Sequence, residues 1–413
     1  MVRDVLGQAW EAMLYNRRRT AITIVGMAWG IATVVLLLAY GAGFSRAIEA
    51  IFAQWGTNII GVFPGRTSQQ AGGDKAGVRV RFMLDDLDRV SGSVPGVFHI
   101  SPIVSKDLPV QNELHTYTWT VNGVRPEFQD IWKMTTDQGR YFNGSENQQR
   151  AHVCVIGSEA KIKLFSGGWA LGETIRVQGE PFTIIGVLSP KMQEGENSDR
   201  NRQIYVPFNT MSDLKDTHYI DGIWFNYTGN NEQAEKSLRE TLGAAHHFTA
   251  GDHNAVFVAN LMTELHQFKI LSLALQVLLS FVGALTLGIA GIGLMNIMLV
   301  AVQQRTREIG VEKALGARKR HILLQFLAEA MAITCAGGFC GIALAYVISM
   351  LVGRITFYSA LAQHAEDADI RLIISPMSVL VATVILVITG LVSGMIPAIR
   401  AANLNPIEAL RYE

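Results

Sequence analysis

Between Gln303 and Arg320 the chain reads QQRTREIGVEKALGARKR, so that Arg305, Arg307, Glu308 and Lys313 are interleaved with Ile309, Val311, Ala314 and Leu315. These side chains form no recognisable catalytic constellation. On a short helix they suit docking, the charges setting partner choice and the apolar groups supplying buried area. Candidates for catalysis are scarce elsewhere. His246, His247, Asp252 and His253 form the densest set of metal-ligand types, but adjacent histidines point apart and nothing downstream supplies the i,i+4 pairing of a zinc protease. A solvated loop is expected there. No GxxxxGK[ST] phosphate loop and no Gly-Lys dipeptide occurs, no GxSxG elbow appears, and no Cys-His signature surrounds Cys154. The chain is therefore expected to be no enzyme and to bind no cofactor itself.

The docking candidate lies between two apolar runs. No charge occurs from Ile270 to Gln304, and Glu329 alone interrupts the stretch from Ile322 to Gly353. Thr20 to Ser45 and Leu372 to Ile399 are also uncharged. Each run exceeds the roughly 20 residues that a helix needs to cross a bilayer, which predicts four transmembrane helices over 20–45, 270–302, 321–353 and 372–399. Arg17, Arg18 and Arg19 precede the first run, and Arg305, Arg307, Lys313, Arg318, Lys319 and Arg320 fill the 303–320 link, whereas the 354–371 link has two arginines against Glu366, Asp367 and Asp369. By the positive-inside rule, 303–320 and the tail 400–413 are cytoplasmic, while 46–269 and the short loop 354–371 are outside. An uncleaved anchor fits the first run better than a signal peptide, because the uncharged stretch exceeds a typical h-region. Residues 1–19, with Val2, Val5, Leu6, Ala9, Met13 and Leu14 at helical spacing, read as an amphipathic helix along the cytoplasmic surface.

In the external region, strand, helix and strand signals occur twice: 58–63, 84–90 and 97–104, then 222–227, 232–242 and 255–258. Strand-like runs at 117–124, 153–156, 174–177, 182–188 and 204–207 fill the interval. The expected fold is a four-helix membrane protein with a large α+β domain between the first and second spans. That domain divides into a split porter-like part over 46–105 and 211–269 and a β-rich insertion over 106–210. Gly65 to Gly77 and Gln193 to Gln203 read as flexible loops. With Cys335 and Cys340 inside the third run, Cys154 stands alone outside, so a hydrophobic core and no disulfide must hold the domain. A formal net charge of +0 argues against a nucleic-acid partner.

Within the spans, Gly26 and Gly30, Gly337 and Gly341, and Gly390 and Gly394 form GxxxG pairs, which let helix backbones approach closely. Glu329, two turns from the cytoplasmic end of its span, is expected to pair with Arg305 or Lys319 in place of relaying protons. Arg305 to Leu315 should form a short helix closed by Gly316 at C′. Its Arg307, Glu308 and Ile309 are expected to enter a partner's groove, so that Ile309→Asp should disturb docking but not folding.

Arg305-Thr306-Arg307-Glu308-Ile309-Gly310, continued by Lys313-Ala314-Leu315-Gly316-Ala317, closely resembles permeases of the macrolide-exporter type, the MacB and FtsX-like group of ABC transporters. The opening at Asn16 to Thr20, the closing Asn405-Pro406-Ile407-Glu408-Ala409-Leu410-Arg411, and the external Leu171-Gly172-Glu173-Thr174-Ile175 and Pro181 to Val187 resemble the same group. The resemblance implies a permease dimer, of identical or related copies, in the bacterial inner membrane and in contact with membrane lipid. It implies a pair of ATPase subunits, binding ATP and Mg, that act in trans because no ATPase domain is fused here. Arg305, Arg307, Glu308, Ile309, Gly310, Lys313, Leu315 and Gly316, with Pro406 and Glu408, would be the coupling residues. A periplasmic adaptor and an outer-membrane channel would be further partners. The implied function is ATP-driven movement of the external domain for export or extraction of a substrate; the alternative is a signalling scaffold that switches an extracytoplasmic cell-wall hydrolase.

Overall fold

The computed structural model describes residues 17–54, 56, 58–68, 76–194, 200–356, 359, 362–363 and 368–410. The expected amphipathic helix at the N-terminus falls almost wholly outside them. Two compact units divide the chain. One comprises 1–46, 270–355 and 370–413, the other 47–269 and 356–369.

The first unit is helical. Helix α1 (Arg17–Ala53) is followed, after the external domain, by α4 (Leu261–Gln304), α5 (Thr306–Ala314), α6 (Lys319–Val352), α7 (Pro376–Ala402) and α8 (Pro406–Leu410). Four of these, α1, α4, α6 and α7, are long and apolar enough to cross a membrane. Their 37, 44, 34 and 27 residues correspond to lengths from roughly 40 to 66 Å, beyond a hydrocarbon core of about 30 Å. The helices thus overrun the uncharged stretches: α4 begins nine residues before Ile270, because Leu261 to Lys269 has good helix formers and no breaker.

Small residues seat the spans on one another. A methyl placed on Gly30 would meet Leu287 and Ala290 of α4, and one on Gly337 would come within 2.6 Å of Met27 Cβ on α1. At Gly341 it would overlap Ile31 and the Ala28 carbonyl, at Gly390 it would press on Thr334, and at Gly394 on Ala330. Gly291 of α4 faces Ser393 and Thr389 of α7. The contacts close a ring in the order α1, α4, α7, α6. Gly26 departs from expectation: it is exposed and has nothing within 4 Å of the added methyl. GxxxG spacing puts two glycines on one face, but α1 meets its neighbour only at the Gly30 end of that face.

In the second unit, β1 (Ile59–Pro64), α2 (Asp85–Ser93) and β2 (Val97–Gln111) form one strand-helix-strand half. Strands β3 (Thr116–Val124), β4 (Thr136–Gly139), β5 (Val153–Ile156), β6 (Thr174–Val177), β7 (Glu180–Leu188), β8 (Gln193–Glu194) and β9 (Ile204–Pro207) follow, and β10 (Gly222–Tyr227), α3 (Asn231–His246) and β11 (Val256–Asn260) form the second half. The order β11-β1-β10-β2 is antiparallel throughout, so each half's two strands run parallel with one strand of the other half between them. This is a split βαβ arrangement.

The expected boundary at residue 105 is not a break. β2 pairs with β10 through Ile103 and with β3 from Ile103 to Gln111, carrying one ten-stranded sheet from the porter-like part into the insertion. Two apolar clusters lie on its faces: Ile60, Val62, Leu87, Val90, Phe225 and Leu238 with the helices, and Ile59, Phe128, Trp132, Tyr141 and Trp224 opposite. Gly61 is needed where the Trp224 indole crosses β1, because a methyl there would lie against the ring.

Both expected flexible loops are anchored in part. The Thr67 amide donates to the Val78 carbonyl at 2.9 Å, and Val80 to Gly65 at 3.1 Å. Asn201 is buried, and the Arg200 guanidinium lies 4.1 Å above the Trp132 ring. The histidine segment also differs from a solvated loop. His246 Nε2 lies 3.0 Å from Asp86 Oδ2, joining α3 to α2, and buried Asp252 accepts from the Ser68 amide at 2.7 Å and hydroxyl at 2.6 Å. His247 and His253, by contrast, are exposed as a solvated loop requires.

Candidate coupling site

α4 stops where Arg305 leaves helical geometry (φ −97, ψ 13). The Thr306 hydroxyl caps the preceding turn, donating to Val302 O at 3.0 Å and Gln303 O at 2.8 Å. α5 then runs nine residues to Ala314, with Leu315 as C-cap and Gly316, at a φ of +101, in the C′ position. Hydrogen bonds donated by the Gly316 amide to Lys313 O (3.1 Å) and by the Ala317 amide to Glu312 O (3.0 Å) complete a Schellman closure before α6.

The inner face of α5 carries Thr306, Ile309, Gly310 and Lys313 at i, i+3, i+4 and i+7. Ile309 is 3% exposed and packs in a cluster with Met298 and Val302 of α4, Ile322 and Phe326 of α6, and Ala398 and Ala401 of α7. It is therefore not a partner-facing anchor, contrary to expectation: the position is apolar because it bolts α5 to the spans. Gly310 is buried beside it.

Lys313 reaches the end of α7, its ammonium donating to Ala402 O at 2.6 Å and Leu404 O at 2.7 Å, where a helix terminus leaves carbonyls unmet. Burial, and secondarily the nearby Lys319 charge, lower its pKa. Arg305 Nη1 lies 3.1 Å from Glu329 Oε2, one of the two pairings open for that acid. This contact ties the α5 entry to α6.

The outer face carries Arg307, Glu308, Val311, Glu312 and Leu315, all exposed. Val311 is 43% and Leu315 85% exposed, although both are apolar. α8 packs beside α5, burying Ala409 and leaving Ile407 exposed. Pro406 opens α8; the Glu408 side chain lies outside the described residues. The site is thus a short helix locked inward by Ile309 and Lys313 and presenting a mixed apolar and charged face outward. The Lys313 clamp escaped sequence reasoning, since its acceptors are backbone carbonyls some ninety positions away. The inward set did have a signal in its i, i+3, i+4, i+7 spacing.

The family model for the MacB-like periplasmic core domain matches residues 20–241, and that for the FtsX-like permease C-terminal region matches 280–406. The macrolide export ATP-binding/permease protein MacB of Bdellovibrio bacteriovorus is 33% identical over 412 residues, covering 99% of this chain and 61% of the relative. The pyoverdine export ATP-binding/permease protein PvdT of Pseudomonas entomophila is 33% identical over 419 residues, covering 99% and 60%. The chain thus spans about three fifths of the length of these relatives. The solved periplasmic region of MacB from Actinobacillus actinomycetemcomitans is 23% identical with a TM-score of 0.43, covering 54% of this chain and 97% of that one. With one family model spanning over half of the chain and the other running from the second span to the closing helix, the chain belongs to the MacB/FtsX-like permeases of ABC transporters, multi-pass proteins of the bacterial inner membrane with a large extracytoplasmic domain.

Proposed function

We propose that this permease couples ATP hydrolysis by an ABC-type ATPase to movement of its extracytoplasmic domain, for export or extraction of a substrate outside the membrane. The observation that carries the reading is the double-faced α5, with Ile309 and Lys313 holding its inner face to α4, α6 and α7 and Val311 and Leu315 exposed on the other. A soluble partner that shifts the outer face must shift the cytoplasmic ends of the spans with it. α1 and α4, at 37 and 44 residues, continue as unbroken helices past the thickness of the bilayer. Glu329, the acid that interrupts an otherwise uncharged run, pairs with Arg305, which favours work done outside the membrane over an ion path through it. The ATPase, with its ATP and Mg, is a partner domain that residues 1–413 do not include, and a second permease copy completes the assembly.

Val311→Asp with Leu315→Asp tests this. Each apolar anchor buried in an interface contributes about 1.5–3 kcal/mol, so association with the ATPase should weaken by at least about tenfold per site and transport should fail. Membrane insertion and protease resistance of the external domain should be unchanged, since both side chains are solvent-exposed. Normal association and activity in the double variant would overturn the proposal.

A further inference from the structure

At the cytoplasmic end of α7 an open cleft of about 490 Å³ is lined by Ile396, Ile399, Arg400, Asn403, Leu404 and Asn405. Ile396 and Ile399 are 51% and 44% exposed. Arg400, one turn beyond Ile396, is exposed, and its guanidinium makes no hydrogen bond or ion pair among the described residues. The Lys319 ammonium reaches Asn403 Oδ1 at 3.4 Å, which brings a second cation to the rim.

The uncharged run of α7 ends at Ile399, so the cleft straddles the plane at which acyl chains give way to headgroups. Its polarity is ordered along that direction, with isoleucines toward the bilayer and the arginine and side-chain amides toward the cytosol. A soluble ligand has no use for the first half, and an acyl chain alone has none for the second. Guanidinium presents paired donors that match a phosphate, and basic pockets at the cytoplasmic ends of spans recruit anionic headgroups.

We propose that an inner-leaflet phospholipid with an anionic headgroup occupies this cleft, its phosphate against Arg400 and Lys319 and an acyl chain against Ile396 and Ile399. The occupied cleft adjoins the α7–α8 turn whose carbonyls Lys313 holds. Lipid there stiffens the turn against which α5 is clamped. The inference stands on the cleft itself and does not require the coupling role of α5.

The full chain, in nanodiscs of phosphatidylcholine with a minor fraction of phosphatidylglycerol, is extracted into detergent, and retained lipid is counted by native mass spectrometry. Phosphatidylglycerol should be retained over phosphatidylcholine, and Arg400→Gln should lower that preference about fivefold, the equivalent of one interfacial charge. A photoactivatable phosphatidylglycerol with its reactive group in the acyl chain should label the 396–405 peptide, and soluble glycerol phosphate should not displace it. Equal retention by Arg400→Gln, or displacement by glycerol phosphate, would overturn the proposal. So would crosslinking of the cleft to the ATPase, to a second copy or to residues 1–16 with no lipid adduct.

Discussion

Ile309→Ala separates the two faces of α5. The substitution removes three carbons from a side chain 3% exposed and surrounded by residues of three spans. At about 0.8 kcal/mol per buried methylene the transfer loss is about 2.4 kcal/mol. A residual cavity places the total in the range of about 2–5 kcal/mol. Nothing on the outer face changes. The cost therefore falls on the equilibrium between α5 held against the spans and α5 detached, with Lys313 left as the main remaining tie. Amide hydrogen exchange of residues 309–314, followed by mass spectrometry on the detergent-purified chain, reads this equilibrium directly. Exchange should accelerate by about thirtyfold or more for Ile309→Ala, and by only about two- to twelvefold for Ile309→Val, which costs about 0.5–1.5 kcal/mol. ATPase association should weaken in the same order, because a detached helix must be re-ordered on binding. Unchanged exchange in Ile309→Ala would refute the argument that this cluster holds α5. Faster exchange with full transport activity would refute the argument that a fixed helix is needed.

Two further outcomes follow from particular contacts. Gly341→Ala should destabilise the span assembly by about 1–3 kcal/mol or more, because the new methyl overlaps Ile31 and the Ala28 backbone, while Gly26→Ala should be near neutral; denaturation in mixed micelles ranks the two, and equal stability would refute the packing role assigned to Gly341. In the external domain burial raises the Asp86 carboxyl pKa, but the His246 and Met83 hydrogen bonds and the His246 and Arg89 charges outweigh it and leave it lowered. A carboxyl lowered on folding stabilises the fold above its unfolded value, and that contribution is lost as pH falls below 3.8 through the folded value. Urea unfolding of the full chain, followed by tryptophan fluorescence, should show this acid loss in the native protein, and Asp86→Asn should be less stable near pH 7 with a flatter acid limb.

Much of this protein is decided by sequence-local physics. An uncharged run of twenty or more residues has no way to satisfy its backbone in lipid except as a helix, and arginine placement orients it. The four spans, the external position of the large domain and the strand-helix-strand halves were therefore legible residue by residue. Gly316 was legible as a helix end for the same reason, since a positive φ is a property of one residue. What tertiary structure alone decided is which of several equivalent faces meets a neighbour. Ile309 and Leu315 are both apolar residues of one short segment, yet one lies among three spans and the other faces solvent, because α4, α6 and α7 converge on one side of α5 only. Gly26 and Gly30 share a motif, yet only Gly30 has a helix against it. Lys313 gained its role from carbonyls at Ala402 and Leu404, and β2 joined two expected subdomains because its partners β10 and β3 lie far along the chain. Period and composition establish that a face is buried; long-range packing selects its neighbour.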